Sequence, residues 1–170
     1  MHTPRIPTLA DRTAGILLHP TSLSGGDLGP GAHEMVEFLA AAGQSWWQTL
    51  PINPPGYGNS PYSAESAFAG NPALVSTDSL IADGLLGVGD RSRAQEKRLR
   101  AAFRAFAGGD PDYQQFVAGA SDWLEDFALY RALKHRHGGG VWTEWAPELR
   151  GRDPAALDRA REELANEMAV

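Results

Sequence analysis

A chain of 170 residues with 42% apolar and 21% charged side chains has the composition of one ordinary globular domain, with enough apolar material for a sizeable core. Its formal charge of −6 and pI near 5.3 leave no electrostatic footprint for nucleic acid, and no Lys/Arg cluster flanks a hydrophobic segment to mark a membrane surface. The lack of cysteine excludes disulfides, thiol catalysis and Cys-ligated metals, and allows a reducing compartment.

The start, MHTPRIPTLADRT, holds no apolar run that reads as a signal peptide, and nothing later approaches the ~20 apolar residues of a membrane span. The chain therefore reads as cytoplasmic. Charge is unevenly spread: residues 1–85 carry two Arg, no Lys and seven acids, whereas 86–170 carry thirteen basic and fourteen acidic residues. Strand and loop are expected first, solvated helix second. No internal repeat is present, and the only low-complexity tract is the short Gly138-Gly139-Gly140.

Residues 14–18 (AGILL) form a short apolar run ending at His19-Pro20, a length that predicts a strand buried on both faces. After the Gly-rich turn 24–31, residues 32–42 place Met35, Phe38, Leu39 and Ala42 on one helical stripe, with Gly43 as the C-terminal cap. A second strand, 45–50, is rich in Trp and also stops at a proline. Its Trp46 and Trp47 alternate between the two faces and read as core. Strand, helix and strand over so short a span make a βαβ unit with parallel strands. Both strand ends, at His19-Pro20 and at Pro51, then face one side, where ligands sit in parallel α/β architectures.

The stretch 45–72, SWWQTLPINPPGYGNSPYSAESAFAGNP, leaves from the second of those ends. It carries Tyr57, Ser60, Tyr62, Phe68 and Asn71 on a frame stiffened by Pro and Gly. Loops of this size usually have a task. Rings and short polar side chains together suit an amphipathic ligand such as a sugar; the alternative is that the aromatics pin the loop to the core.

Beyond Pro72 the segment ALVSTDSL reads as extended, and 81–86 closes with Gly87. Leu99, Ala102, Phe103 and Phe106 mark a helix ended by Gly108-Gly109. Asp110-Pro111 is a cap and first-turn proline for the next helix. Ser121 can cap another, with Asp122, Glu125 and Asp126 in its first turns and Lys134, His135, Arg136 and His137 in its last, complementing the helix dipole. Trp142 and Trp145 bracket a loop and, at i and i+3, read as a staple for a helical layer in preference to the alternative, a sugar platform. Asp153-Pro154 opens a last helix with Leu157, Ala160, Leu164 and Met168 on one face. That helix meets no glycine or proline before Val170, so the chain is expected to end mid-structure.

Candidate chemistry is sparse. His19, Ser22 and Asp27 close within one turn and lack the convergence a nucleophilic triad requires; His19 reads as a hydrogen-bonding group at the strand end, structural or toward a ligand hydroxyl. The run 25–31 (GGDLGPG) precedes a helix and could cradle an anion, but it has no P-loop lysine and no dinucleotide spacing, and a tight turn is the stronger reading. His135 and His137, two apart on a helix, point to different faces and cannot share a metal; no other spacing suggests one. Gln48 either reaches the strand-end site or bonds in the interior. Glycosyl transfer by retention needs two carboxylates about 5 to 5.5 Å apart. Only Asp27 and Glu65 lie near the strand-end loops, and neither has a partner close in sequence.

Three segments together carry a resemblance: RTAGILLHPTSLSG, WWQTLPINPPGYGNSPYSAESAFAGNP, and WLEDFALYRALK with its later W-x-x-W. They are similar to the N-terminal part of the 4-alpha-glucanotransferases called amylomaltase or disproportionating enzyme. The resemblance implies an incomplete (β/α)8 TIM barrel, α/β in class, to which this chain gives the first two strands and the helix between them. Residues 1–80 would be the N-terminal part of the barrel and 81–170 a mainly α-helical insertion leading toward the remainder. It further implies transfer of α-1,4-glucan segments to the 4-hydroxyl of glucose or another glucan, by a retaining double displacement without metal or organic cofactor. The implied partners are α-1,4-glucans and maltooligosaccharides, together with the C-terminal part of the barrel, and neither nucleic acid nor membrane.

Position by position, Tyr62 matches the family's aromatic beside the reacting sugar, and Ser60 lies in the same SPY motif. Tyr57, in the GYG turn, matches a glucan-contacting residue, and His19 sits in the HPTSL element. The family's three catalytic carboxylates come from later strands and match nothing before Val170, so the isolated chain is expected to be inactive. Two departures stand out: the loop between TSL and DLG is reduced to SGG, and Glu65 occupies a position often apolar in the family. A non-catalytic glucan-binding or assembly module is the alternative.

Overall fold

Short apolar runs stopped by proline become short strands. In the computed structural model, which describes residue 8 and residues 10–106 and 109–170, strand β1 (Gly15–Leu17) pairs in parallel with strand β2 (Trp46–Gln48). The register sets Gly15 against Trp46 and Leu17 against Gln48. Gly15 is needed there, because a Cβ would lie 2.5 Å from the Trp46 carbonyl oxygen. Pairing continues past both strands, with Ser45 N–H donating to Ala14 O (2.8 Å) and Leu18 N–H to Gln48 O (2.9 Å). Both indoles clip the strands together: Trp46 Nε1 donates to Thr13 Oγ1 (2.8 Å) and Trp47 Nε1 to Leu18 O (2.7 Å).

Helix α1 (Pro30–Ala41) makes the crossover, with Pro30 at its first position. Its end is a Schellman motif, as Gly43 predicts: Gly43 has φ +69, its N–H reaches Ala40 O, and the Gln44 N–H reaches Leu39 O. The expected stripe is rotated. Ala32 and Leu39 are buried, whereas Phe38 is 58% exposed. The strands also differ from expectation, since Leu17 and Trp46 are exposed and burial on both faces is not reached. The physical reason is that the sheet has two strands among the described residues, leaving most of each face without a covering layer. An α/β unit with a parallel sheet is what the described residues show.

The segment expected to be extended after Pro72 instead coils. A 3-10 turn (Pro72–Leu74) leads into helix α2 (Thr77–Ala82), capped by Ser76 and closed by Gly84 at φ +75, ahead of Gly87. Helix α3 (Gln95–Ala105) follows the predicted stripe; Gly108, proposed to end it, lies outside the described residues.

Two compact units, 1–98 and 99–170, divide the chain. In the second, helix α4 (Pro111–Gly119) begins as expected, Asp110 Oδ1 accepting from the Asp112 and Tyr113 N–H groups (2.8 and 3.2 Å). Helix α5 (Leu124–Arg136) is not capped by Ser121. Residues 121–123 are turn, and the Trp123 and Leu124 N–H groups both donate to Ala120 O, so the chain never extends at Ser121 as a side-chain cap requires. A short helix α6 (Pro147–Arg150) precedes helix α7 (Pro154–Glu163), which Asp153 caps at Ala156 N–H (2.9 Å). The expected single last helix breaks at Leu164 and resumes as α8 (Ala165–Met168). Leu157, Ala160 and Leu164 still pack with Leu129, Ala132, Leu133 and Trp145 into one core, Met168 against its edge. Packing of Leu164, with neither glycine nor proline involved, accompanies the break.

Among the described residues no helix is long and apolar enough to cross a membrane.

Candidate functional site

Because β1 and β2 are parallel, the segments leaving their carboxyl ends lie at the same edge of the sheet. After β2 the chain meets Pro51 and runs out as a loop whose base is closed by its own main chain. Asn71 N–H donates to Ile52 O (2.8 Å), Glu65 N–H to Pro54 O (2.9 Å) and Gly56 N–H to Ser63 O (2.7 Å), around a Pro55–Ala64 bridge. Short polar side chains brace it: Asn53 Nδ2 donates to Ala69 O (3.0 Å), and Ser66 Oγ accepts from both Phe68 and Ala69 N–H (3.1 Å each). Asn71 Oδ1 caps the next turn at Ala73 N–H (3.0 Å). These are the bonds such residues make in turns, and Asn53 and Ser66 were legible by that signal, though the sequence reading gave neither this role.

The tip is a 3-10 turn (Tyr57–Asn59) with Gly58 at φ 68 and Asn59 at φ 54. Ser60 Oγ accepts from Tyr62 N–H (3.3 Å), and Ser60 N–H donates to Tyr57 O (3.4 Å), so Tyr57, Ser60 and Tyr62 belong to one folded tip. The two tyrosine rings do not pin it: Tyr57 is 95% and Tyr62 77% exposed. A backbone held from within thus presents two phenol rings to solvent.

His19 lies at the end of the neighbouring strand and caps the 3-10 turn Pro20–Ser22. Its Nδ1 accepts from Thr21 N–H (3.4 Å) and meets Thr21 Oγ1 at 2.8 Å. With Nδ1 as the acceptor, the neutral ring carries its proton on Nε2, which faces away from Thr21 as a donor. The topology brings His19 to the same sheet edge as the tyrosine loop.

The other candidates have structural employment. Asp27 Oδ1 accepts from Gly29 N–H (2.8 Å), Leu28 N–H donates to Leu74 O (3.0 Å), and a Cβ on Gly29 would meet Ser76 Oγ at 2.1 Å. The run 25–31 is therefore a turn docked on residues 74–76, with the N-terminus of α1 already served by a carboxylate. Gln48 is exposed, and its carbonyl extends the sheet. His137 is the C-cap of α5 and stacks on Trp145 (5.3 Å, 18°). Among the described residues, no group of three or more His, Asp or Glu is placed to hold a metal ion.

A family model described as 4-alpha-glucanotransferase matches residues 17–170. Among similar proteins, a 4-alpha-glucanotransferase of Thermus thermophilus is 40% identical over 93% of this chain and 36% of its own length. One from Synechocystis is 39% identical over 92% of this chain and 37% of its own length. A solved amylomaltase from Streptococcus agalactiae, in complex with acarbose, superposes with a TM-score of 0.82 at 29% identity, covering 94% of this chain and 37% of that one. The chain thus spans little more than a third of the proteins it matches.

Proposed function

Since the chain belongs to the 4-alpha-glucanotransferase family, we propose that it forms the glucan-contacting first portion of such an enzyme, an incomplete (β/α)8 barrel. A closed barrel takes ~250 residues. In this reading residues 1–80 give two strands and the substrate loop, and 81–170 a helical insertion. The whole enzyme moves α-1,4-glucan segments onto a 4-hydroxyl by a retaining double displacement, in the cytoplasm, without metal or organic cofactor.

The observation that carries this reading is the pair of exposed tyrosines on an internally braced loop at the carboxyl edge of a parallel sheet. A phenol ring offers an apolar face to sugar C–H groups and a hydroxyl to sugar oxygens, at little cost in loop ordering because the backbone is already fixed. Tyr62 would stack on the reacting sugar, Tyr57 on a neighbouring unit, and Ser60 would keep Tyr62 in place through its main chain. His19 Nε2–H is suited to donate to a sugar hydroxyl. The acarbose bound by the Streptococcus agalactiae protein, a maltooligosaccharide analogue, supports this ligand class. The two carboxylates of retention, about 5 to 5.5 Å apart, would come from polypeptide beyond this chain.

Calorimetric titration with maltotriose tests the binding half of this reading. The chain should bind saturably, and Tyr62→Ala should weaken binding about tenfold, a loss of the size expected for one aromatic contact. Equal affinity in chain and variant would remove the loop from the site.

A further inference from the structure

Hydrogen bonds hold the main chain around His19 from both sides. Before it, the Trp47 indole N–H donates to Leu18 O (2.7 Å); after it, Ser22 N–H donates to His19 O (2.9 Å) and Leu23 N–H to Pro20 O (3.0 Å). Pro20, between them, is fully buried, and its pyrrolidine ring fixes φ at the start of the 3-10 turn. The freedom left to His19 is that of its side chain, which can rotate and can carry its proton on either ring nitrogen.

Thr21 removes that freedom. Its hydroxyl oxygen lies 2.8 Å from His19 Nδ1, and its N–H donates to the same nitrogen at 3.4 Å. A hydroxyl can donate or accept, so it chooses no tautomer by itself; a backbone N–H can only donate, and a proton on Nδ1 would face it. Nδ1 is therefore the acceptor of both groups, and the neutral ring carries its proton on Nε2, which has no partner among the described residues. His19 is half-buried and Thr21 exposed, so the pair lies at the surface, at the sheet edge from which the tyrosine loop leaves.

We infer that Thr21 is a positioning residue for ligand binding: it holds the His19 imidazole in one orientation and in the Nε2–H form, so that the nitrogen left for the ligand is a donor. The direction of that bond decides what can occupy the place. A bare Nε2 accepts from a hydroxyl and repels an ether oxygen, whereas Nε2–H donates to either, and a hydroxyl that accepts from it keeps its own proton for a further acceptor. A chain of sugar units offers both kinds of oxygen. Thr21 touches no ligand atom in this role and acts through the ring it orients, which loses less freedom on binding because it is already held. Naming the acceptor as an oxygen of an α-1,4-glucan rests on the proposed function; the tautomer does not.

Ring-nitrogen NMR of the full 170-residue chain tests the tautomer, with His19→Gln assigning the signals, above the pH at which imidazoles ordinarily titrate. The expected spectrum has a protonated Nε2 and a bare Nδ1. Thr21→Val, which deletes the hydroxyl and keeps the branching and the N–H, moves both signals toward those of a ring exchanging tautomers, and Thr21→Ser restores them. Thr21→Ala gives a second reading should the valine variant lose its far-ultraviolet dichroism. In calorimetric titration with maltotriose, Thr21→Val weakens binding about three- to tenfold, the size of one lost hydrogen bond. Thr21→Ser restores the affinity, and Thr21→Val made on His19→Ala has no further effect, because the threonine acts through the imidazole. A protonated Nδ1, a ring spectrum or a maltotriose affinity unmoved by Thr21→Val, or an equal loss from Thr21→Val with and without the imidazole overturns the inference, the last marking a threonine that only shapes the turn. A chain that binds no maltotriose, yet shows the expected tautomer and its response to Thr21→Val, instead counts against the proposed function alone.

Discussion

Two glycines in the tyrosine loop look alike in the sequence and do opposite things. A Cβ at Gly56 would sit 2.5 Å from Ser63 O, the atom its own N–H bonds, whereas at Gly58 it would meet nothing within 4 Å and face only a φ of +68. Gly56→Ala should therefore open the loop base, costing about 1–3 kcal/mol and most of the glucan affinity. Gly58→Ala should cost about 1–2 kcal/mol, all of it from the left-handed backbone, and Gly58→Asn less, because Asn tolerates that conformation. Thermal unfolding with maltotriose titration separates the two. On residue types alone the GYGNSPY motif reads either as a sugar-handling loop or as aromatics pinned to the core, because both readings use the same aromatics and only burial distinguishes them; that both tyrosine rings are exposed while Asn53, Ser66 and Asn71 brace the backbone was not legible in the sequence. Trp47 is a similar case. Alternation made it core, yet the structure gives its indole a specific bond to Leu18 O, so Trp47→Phe should destabilise by about 1–3 kcal/mol by stranding that carbonyl.

Where capping chemistry was local and unambiguous, elements followed the sequence. Asp110-Pro111 and Asp153-Pro154 start helices because the carboxylate meets the first free N–H groups and proline gives up none that is needed. Asp153→Ala should cost about 0.5–2 kcal/mol, and Ser121→Ala should stay within about 0.5 kcal/mol, since Ser121 caps nothing. Urea midpoints of the two variants check this, and a larger loss in Ser121→Ala would contradict the assigned start of α5. The segment after Pro72 reads as extended because its apolar residues are too few to show a period, and the deciding signals are Ser76 at one end and Gly84 at the other. Likewise the break at Leu164 has no residue signature, as a buried leucine reads the same within a helix and between two.

For the whole molecule, composition showed no electrostatic footprint for nucleic acid and, without cysteine, left no disulfide chemistry, but it was silent on fold; the long HPTSL and GYGNSPYSAESAFAGNP segments carried the family. The strands show most clearly how burial depends on surroundings. Their apolar residues suit burial on both faces, and in this chain Leu17 and Trp46 are exposed, as a sheet of two strands among the described residues leaves them. Strands written for a larger sheet are consistent with a chain that spans 36–37% of its Thermus and Synechocystis relatives. The central claim is that this polypeptide handles the glucan while the reacting acids lie on other polypeptide. It is tested most directly by incubating the 170-residue chain with maltotriose, alone and co-expressed with the C-terminal remainder of a family member, and resolving the products by chain length. The account predicts maltotriose unchanged with the chain alone and a ladder of shorter and longer oligosaccharides with the pair; a ladder from the chain alone would contradict it.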